Sequence, residues 1–262
     1  MPADYHIHTE ASLDAKGSME EYIRKAKQKK LGEIGFSEHI ILHNIEGHPY
    51  TPYTPIKSSY LQNFLNLKAN AELFVKLGAE VDFIPKVTEK IGIFLREFPF
   101  DYVIGAVHFI DNWSVDSPSQ MHEYSKRNVL KVYEEYFSLV KRLCRSRLFD
   151  ILAHPDLIKI FGFKPKTDFS HILGEAAETM AKYNVCAEIN TSGLRRPCQE
   201  IYPSEQFLKI LHSHNVAVVF GSDAHEPNDV GRNFTQAVKL AKKVGYTKTC
   251  VFNQRRRDFV KI

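Results

Sequence analysis

The sequence predicts an α/β protein built on a parallel sheet, and three observations support this fold class. Short β-branched or apolar runs alternate with longer stretches of helical period along the 262 residues. No stretch rich in Pro, Gly or Ser divides the chain, so we predict a single domain over residues 1–262. Seven or eight strand–helix units in this length match a (β/α) barrel, and a doubly wound open sheet is the structural alternative.

The predicted strands are short, and helical stretches separate them. They comprise residues 4–8, 34–38, 79–84, 102–107, 150–154, 185–190 and 216–221, with a weaker eighth at 248–252. The Pro- and Tyr-bearing segment 48–57 is predicted to be a long loop, either functional or mobile.

Helix signals lie between these strands. Ser18 and Glu21 have capping-box spacing before a helical run, and Gly32 is predicted to stop that helix. Pro203 suits the first turn of a helix that ends near His214. The order of strands and helices is therefore that of repeated βα units.

Composition excludes several classes of protein. Hydrophobic residues make up 44% and charged residues 25% of the chain, and no segment approaches the roughly 18 apolar residues of a membrane span. The N-terminus MPADYHIHTE lacks the basic and apolar segments of a secretory signal. The four cysteines are far apart without CxxC spacing, which favours a reduced compartment. We therefore predict a cytoplasmic protein that does not associate with membranes.

The charge pattern does not predict a nucleic-acid partner. The net charge is +4, and the only dense basic cluster, Arg255 to Arg257, is interpreted as a solvated tail. No phosphate-binding P-loop, dinucleotide fingerprint or serine nucleophile elbow occurs. The oligomeric state is not determined by these features.

Residues that can bind metal ions lie at or just after the ends of most predicted strands. They are His6, His8, Glu38, His39, Glu80, Asp82, His108, His154, Asp223 and His225. The carboxyl ends of parallel barrel strands share one face, so these side chains are expected to converge. Alternate residues of a strand point to one side, which lets a His-x-His or Asp-x-His pair reach one ion.

The joint placement of these side chains predicts a metal cluster. A lone histidine near a strand end is more often a hydrogen-bonded structural residue. Burying six imidazoles and three carboxylates together without metal would cost about 1–3 kcal/mol for each unpaired group. Imidazole and carboxylate without thiolate suit zinc, manganese or iron(II). Neighbouring ions about 3.5–4 Å apart can activate water and hold a phosphoryl group, so we predict phosphate-ester hydrolysis.

The ordered motifs resemble one family along essentially the whole chain. They are DYHIHTEASLD, FSEHI, GAEVDF, GAVHFIDNWSVD, DILAHPDL, EINTSGLRRP, EIYPSE and GSDAHEP. The sequence resembles the polymerase-and-histidinol-phosphatase (PHP) superfamily, and within it the monofunctional histidinol-phosphate phosphatases. The resemblance implies a distorted (β/α)7 barrel, related to the TIM barrel, with three divalent metal ions.

The resemblance also implies ligands for each ion. The first ion would be held by His6, His8, Glu80 and Asp223, the second by Glu80, His108 and His154, and the third by Asp14, His39 and His225. Glu80 would bridge the first two ions. Many relatives have a histidine where this sequence has Asp14.

The implied reaction is hydrolysis of L-histidinol phosphate, a small-molecule phosphate monoester, to L-histidinol and phosphate in histidine biosynthesis. Glu80 is predicted to be catalytic, and Asp223 or His225 to assist the leaving group. Arg195 or Arg196 is predicted to bind the substrate phosphate, with Arg195 slightly favoured because the family pattern continues NTSGLR.

Two rival functions follow from the same motifs. One is another PHP phosphoesterase that acts on nucleotides, oligonucleotide ends or phosphotyrosine, and the segments GAVHFIDNWSVD and EIYPSE favour histidinol phosphate over it. The other is a non-catalytic module that stabilises a polymerase assembly. A chain with all nine ligand positions filled argues against that module.

Overall fold

The computed structural model describes residues 2–45 and 52–262, which form seven α-helices and twelve β-strands. The helices are α1 Met19–Gln28, α2 Ser58–Asn70, α3 Thr88–Arg96, α4 Val129–Ser146, α5 Ser170–Tyr183, α6 Glu205–Ser213 and α7 Phe234–Val244. The strands are β1 Glu33–Phe36, β2 His39–Ile40, β3 Phe74–Leu77, β4 Glu80–Asp82, β5 Ile104–Ala106, β6 Phe109–Ile110, β7 Trp113–Ser114, β8 Ile151–Leu152, β9 Cys186–Asn190, β10 Val218–Gly221, β11 Lys248–Asn253 and β12 Arg256–Lys261.

A parallel sheet forms most of the barrel wall. Its order is β10-β9-β8-β5-β4-β2, and every neighbouring pair in it is parallel. The parallel pair β1 and β3 lies just before β2 and β4 in the chain and extends the same two strands. Each predicted strand from 34–38 to 216–221 therefore corresponds to an observed one.

The N-terminal segment closes the barrel, although residues 4–8 do not form the regular strand that was predicted. Asp4 forms a parallel bridge with Ile34 on one side, and Ile7 forms one with Ala224 on the other. The Asp4 carboxylate accepts a hydrogen bond from the Ser222 N–H at 2.9 Å, so at this point a side chain replaces a backbone acceptor. It also accepts one from the Gly231 N–H, outside the strands, at 2.8 Å. Seven parallel segments thus close the (β/α)7 barrel and exclude the open sheet.

The predicted eighth strand lies outside the barrel wall. It is β11, and it pairs with β12 as an antiparallel hairpin. Cys250 and Phe252 of this hairpin pack with Tyr5 and Tyr102 in a buried cluster. The hairpin therefore closes the end of the barrel at which the strands begin.

Strand alternation separates an inner core from an outer core. Ile104 and Ala106 belong to the inner cluster, whereas Val103 and Val107 pack in the larger cluster that includes residues of the surrounding helices. The next inward position after Ala106 is His108. Apolar side chains therefore fill the barrel at the amino ends of the strands, and polar side chains take over at the carboxyl ends.

Two of the predicted helix signals are wrong and one is confirmed. The Ser18 N–H donates to Glu21 Oε2 at 2.9 Å at the start of α1, as a capping box requires. Gly32 does not stop α1, because the helix ends at Gln28 and Lys30 already has a positive φ of 57°. Pro203 precedes the N-cap of α6 instead of lying in its first turn.

The predicted loop 48–57 falls partly outside the described residues, which resume at residue 52. Tyr53 forms an antiparallel bridge with Ile41, and its hydroxyl donates to the Ala11 carbonyl. This part of the loop therefore lies against the ends of the barrel strands. Within residues 2–45 and 52–262, no helix has the length and apolar character needed to cross a membrane.

Candidate metal centre

The carboxylate of Glu80 lies at the centre of the predicted ligands, at the start of β4. Glu80 Oε2 is 2.8 Å from His39 Nδ1, 3.4 Å from His6 Nε2 and 3.6 Å from His8 Nε2. The side chains of Glu80, His6 and His8 are almost completely buried, and that of His39 is partly exposed. One oxygen of Glu80 therefore faces three imidazoles.

The other oxygen of Glu80 faces a separate pair of histidines. Glu80 Oε1 is 3.1 Å from His154 Nε2 and 3.7 Å from His108 Nε2, and these two nitrogens are 3.3 Å apart. The two oxygens thus point to two groups of imidazoles, which is the arrangement that a bridging carboxylate requires.

Asp223 approaches the first group from the strand on the other side. Its Oδ1 is 3.6 Å from His8 Nε2, 3.7 Å from His6 Nε2 and 3.6 Å from His225 Nδ1. Its Oδ2 accepts a hydrogen bond from the Ser192 hydroxyl at 3.0 Å. One oxygen is therefore held by the protein, while the other faces the imidazoles.

Asp14 joins the remaining two histidines, although it lies on a loop and its side chain is half exposed. Its Oδ2 is 3.5 Å from His39 Nε2 and 3.4 Å from His225 Nε2. The loop is held from below by Glu38, which accepts hydrogen bonds from the Thr9 and Ser12 hydroxyls. The structure thus brings all nine predicted ligands together.

Donor atoms of the cluster fall into three overlapping groups, each within 4.8 Å. They are His8, His39 and His225; His6, Glu80 and His154; and His6, His8 and Asp223. Each group shares at least two members with one of the three predicted ligand sets. The assignment of each ligand to a particular ion stays a prediction.

Buried polar atoms without hydrogen-bond partners test whether these residues fit metal ions. Among the described residues they include His6 Nε2, both ring nitrogens of His8 and His154 Nδ1. Each such atom would cost about 1–3 kcal/mol if it remained unpaired. Lone pairs of imidazole and carboxylate are ligands for divalent transition metals, so the donor set fits such ions.

Three members of the cluster are held in the form that binds metal ions, which is the neutral imidazole of His8 and the ionised carboxylates of Glu80 and Asp223. Burial, together with the neighbouring His39 and His225, lowers the pKa of His8 to about 3, which leaves a neutral imidazole. Burial alone would raise the pKa of Glu80, but the surrounding histidines outweigh it and hold that pKa well below its usual range. The same balance of burial against His6, His8 and His225 keeps the pKa of Asp223 well below its usual value.

A second layer of carboxylates orients the histidines. Asp82 Oδ1 is 2.6 Å from His108 Nδ1, and Glu188 Oε1 is 2.6 Å from His6 Nδ1. Burial lowers the pKa of His108, but Asp82 outweighs this effect and raises it to about 10. Hydrogen bonds of this kind fix the ring so that Nε2 faces the centre.

Sequence reasoning missed Glu188, which also accepts a hydrogen bond from the His154 N–H at 2.7 Å. Its signal was a charged residue at an inward position of the apolar run 185–190. The backbone is unusual at two of the predicted ligands, since φ is 23° at His154 and 52° at Asp223. Strained residues of this kind occur at functional sites, where surrounding contacts hold them.

The structure separates the two adjacent arginines. Arg196 lines the cleft above the cluster. Arg195 Nη2 donates to the carbonyls of Ser222 and Asp223 at 2.9 and 3.2 Å, and its Nε is 3.3 Å from Asp229 Oδ2. Arg195 therefore supports the turn that presents Asp223. Of the two arginines, Arg196 lines the cleft, whereas the family pattern had slightly favoured Arg195 as the phosphate ligand.

The cleft has a volume of about 200 Å³ and opens over the cluster. Its polar lining includes Asp14, His39, Glu80, Asp82, His108, Asp116, His154, Ser192, Arg196, Asp223 and His225. Its apolar and aromatic lining includes Leu13, Ile41, Tyr53, Phe109, Leu157, Ile160 and Tyr202. The site can therefore hold a compound with one anionic end and one less polar end.

A closed parallel barrel with a histidine–carboxylate cluster at the carboxyl ends of its strands defines a class of metal-centre proteins. Comparison with known families identifies the class: the PHP domain matches residues 4–192, and the chain belongs to this family.

Two similar curated proteins carry the same activity in their names. A probable histidinol-phosphatase of Deinococcus radiodurans is 31% identical over 255 residues, which cover 97% of this chain and 97% of that protein. The histidinol-phosphatase of Bacillus subtilis is 26% identical, over 87% of this chain and 95% of that protein.

A solved structure supports the same fold. The histidinol phosphate phosphatase of Lactococcus lactis, solved with zinc, L-histidinol and phosphate, matches with a TM-score of 0.85 and 22% identity over 98% of both chains. At that identity the likeness shows the fold, which is the predicted distorted barrel.

Proposed function

We propose that this protein is a metal-dependent phosphatase that hydrolyses L-histidinol phosphate to L-histidinol and phosphate. The observation that carries the proposal is the convergence of the nine predicted ligands, Glu80 among them, into one cluster with unpartnered donor atoms facing one another. The names of relatives that match nearly the whole chain supply the substrate.

We further propose that the centre holds three divalent ions, of zinc, manganese or iron. The ligand sets are those implied by the family resemblance, with Glu80 between the first and second ions. When bound, such ions supply an activated water and neutralise charge on the phosphoryl oxygens. The side chains of the second layer keep the ligands in place for this chemistry.

Side chains of the protein would bind the substrate phosphate and assist protonation of the leaving alkoxide. Arg196 would hold the phosphate through its guanidinium group from the wall of the cleft. Asp223 and His225 both line the cleft, and they are our candidates for assisting the leaving alkoxide. Glu80 would contribute to catalysis as a carboxylate ligand of the first and second ions.

The remainder of the cleft suits histidinol better than a nucleotide. Asp116 adds a carboxylate to the lining, and its Oδ1 accepts a hydrogen bond from the Ser114 hydroxyl at 2.7 Å. A carboxylate attracts the ammonium group of histidinol phosphate and repels additional phosphates. Leu157 and Ile160 offer an apolar surface to the imidazole.

We also propose that residues 1–262 act as one functional unit. The site combines His6 and His8 near one end of the sequence with Asp223 and His225 near the other. The cytoplasmic location stays a prediction.

Substrate preference tests the proposed function directly. We expect kcat/KM for histidinol phosphate to exceed that for p-nitrophenyl phosphate and for nucleoside monophosphates, because those compounds leave the ammonium and imidazole subsites unpaired. Phosphate release with zinc, manganese or iron supplied is the measurement. If kcat/KM is higher for nucleotides with the metal that gives the highest activity, the histidinol phosphate assignment is wrong. The protein would then still be a phosphoesterase.

Separate alanine variants distinguish the two arginines. We expect Arg196→Ala to raise KM for histidinol phosphate, lower kcat, or both, with unchanged metal content, because a charge-assisted contact to phosphate is lost. Arg195→Ala should instead lower the melting temperature, since it removes hydrogen bonds to Ser222 and Asp223. Steady-state kinetics, metal analysis and thermal unfolding provide the readouts. Normal kinetics for Arg196→Ala would place the phosphate contact elsewhere.

A further inference from the structure

A buried ammonium group lies behind the cleft and outside the metal cluster. Lys159 follows β8, and its side chain is only 2% exposed. Its Nζ donates to the Ile201 carbonyl at 2.9 Å and lies 3.0 Å from Asp156 Oδ2 and 3.1 Å from Glu200 Oε2. The ammonium group therefore donates one hydrogen bond and forms ion pairs with two carboxylates.

These contacts tie two segments of the site together. Asp156 and Lys159 belong to the segment that begins at His154, whose carbonyl accepts the Leu157 N–H at 2.9 Å. Glu200 and Ile201 belong to the loop that follows β9. Burial of the ammonium is costly unless it is paired, so the pairing ties the position of one segment to that of the other.

Further hydrogen bonds hold the same two segments at fixed distances. Asp156 Oδ2 also accepts the Ser204 N–H at 2.8 Å, and the Cys198 N–H donates to the Ile160 carbonyl at 2.9 Å. Lys159 is the cation at the middle of this contact. Its Nζ lies 5.2 Å from the centre of the Tyr202 ring, within the range of a cation–π interaction.

The loop held in this way carries two side chains of the cleft wall. They are Arg196 and Tyr202, whereas Lys159 itself does not line the cleft. Arg196 is joined to the anchored part of the loop by its carbonyl, which accepts the Gln199 N–H at 2.9 Å. Movement of the loop away from Lys159 would therefore move the arginine relative to His154.

We propose that Lys159 is a positioning residue, which sets the place of Arg196 above the metal centre through the Asp156 and Glu200 carboxylates. The inference rests on the proposed function, because Arg196 is taken to hold the substrate phosphate. Lys159 acts through the loop and does not touch the substrate.

Kinetics of Lys159→Met test this inference. Methionine keeps most of the unbranched side chain but removes its charge and its donors. We expect KM for histidinol phosphate to rise by about tenfold or more, because displacement of a binding group by about 1 Å weakens its contact strongly. Metal content should be unchanged, kcat should change less than KM, and Lys159→Arg should recover part of the loss.

Lys68→Met is the matched control. Lys68 also pairs with a buried carboxylate, at 3.2 Å from Asp101 Oδ2, but this pair lies at the opposite end of the barrel. We expect its KM to equal that of the parent chain. Should Lys159→Met fail to fold, Glu200→Gln carries the test, since Glu200 is 38% exposed and the pair between Lys159 and Asp156 is kept. It should raise KM in the same direction by a smaller factor.

A double-mutant comparison separates positioning from general stability. In an Arg196→Ala background we expect Lys159→Met to change KM by less than about twofold, because the residue through which it acts is absent. The same factor in both backgrounds, or a folded Lys159→Met with the KM of Lys68→Met, would overturn the inference. A parent chain that does not hydrolyse histidinol phosphate would overturn the proposed function instead, and the Lys159 comparison would then be made with p-nitrophenyl phosphate.

Discussion

Glu80→Gln is expected to lose activity by on the order of 10³-fold while the barrel stays folded. Glutamine keeps the volume of the side chain but removes the negative charge that faces five imidazoles from the centre of the cluster. The measured metal content should fall from about three ions in the loaded parent chain to fewer in the variant, because Glu80 is the proposed ligand of two of them.

Glu72→Gln provides the control for the same chemical change. Glu72 lies at the surface, is 77% exposed and pairs with Lys27 at 2.8 Å. Exposed pairs of this kind contribute little, so its activity and metal content should match the parent chain. Near-normal turnover by Glu80→Gln would show that Glu80 is not a metal ligand. A parent chain that is fully active without bound metal would contradict the metal centre as a whole.

Gly221→Ala is expected to disrupt the same site from the backbone side. A Cβ atom at Gly221 would lie 1.9 Å from Glu188 Oε1 and 2.7 Å from His6 Cβ, so both side chains would have to move. Overpacking of this kind costs about 1–3 kcal/mol or more. We expect a lower melting temperature together with reduced metal content and activity, because Glu188 orients both His6 and His154.

Gly174→Ala is the matched control for Gly221→Ala. Gly174 lies inside α5, and a Cβ atom there would meet no heavy atom within 4 Å. Alanine should stabilise this helix by about 0.5–1 kcal/mol and leave the site unchanged. Thermal unfolding and metal analysis of the two variants give the comparison. An unchanged melting temperature and metal content for Gly221→Ala would show that the barrel wall adapts around the added methyl group.

The order of the barrel strands was accessible from the sequence because each strand is a short apolar run, and most of these runs carry or precede a predicted ligand. The segments that became β4, β5, β9 and β10 were identified in this way, although the observed strands are shorter than predicted. The segment 4–8 was also identified, but it joins the barrel wall through isolated bridges and a hydrogen bond from the Ser222 N–H to the Asp4 carboxylate, not as a regular strand. The hairpin formed by β11 and β12 looked like one more barrel strand because strand patterning does not report the direction of pairing.

The sequence by itself identified most residues of the cluster, because they follow strand ends at spacings that strand geometry makes meaningful, whereas Asp14 came from the family resemblance. Their role as metal ligands stays a prediction. Only the tertiary structure shows where neighbouring residues place their side chains. Arg195 and Arg196 are adjacent and chemically identical, and packing turns the first towards Ser222 and leaves the second on the cleft. Glu188 contacts His6, which is 182 positions away in the sequence, and local sequence patterns do not predict such a contact. The physical reason is that a strand end specifies where a side chain emerges, whereas its final contacts depend on ångström-scale packing of distant segments.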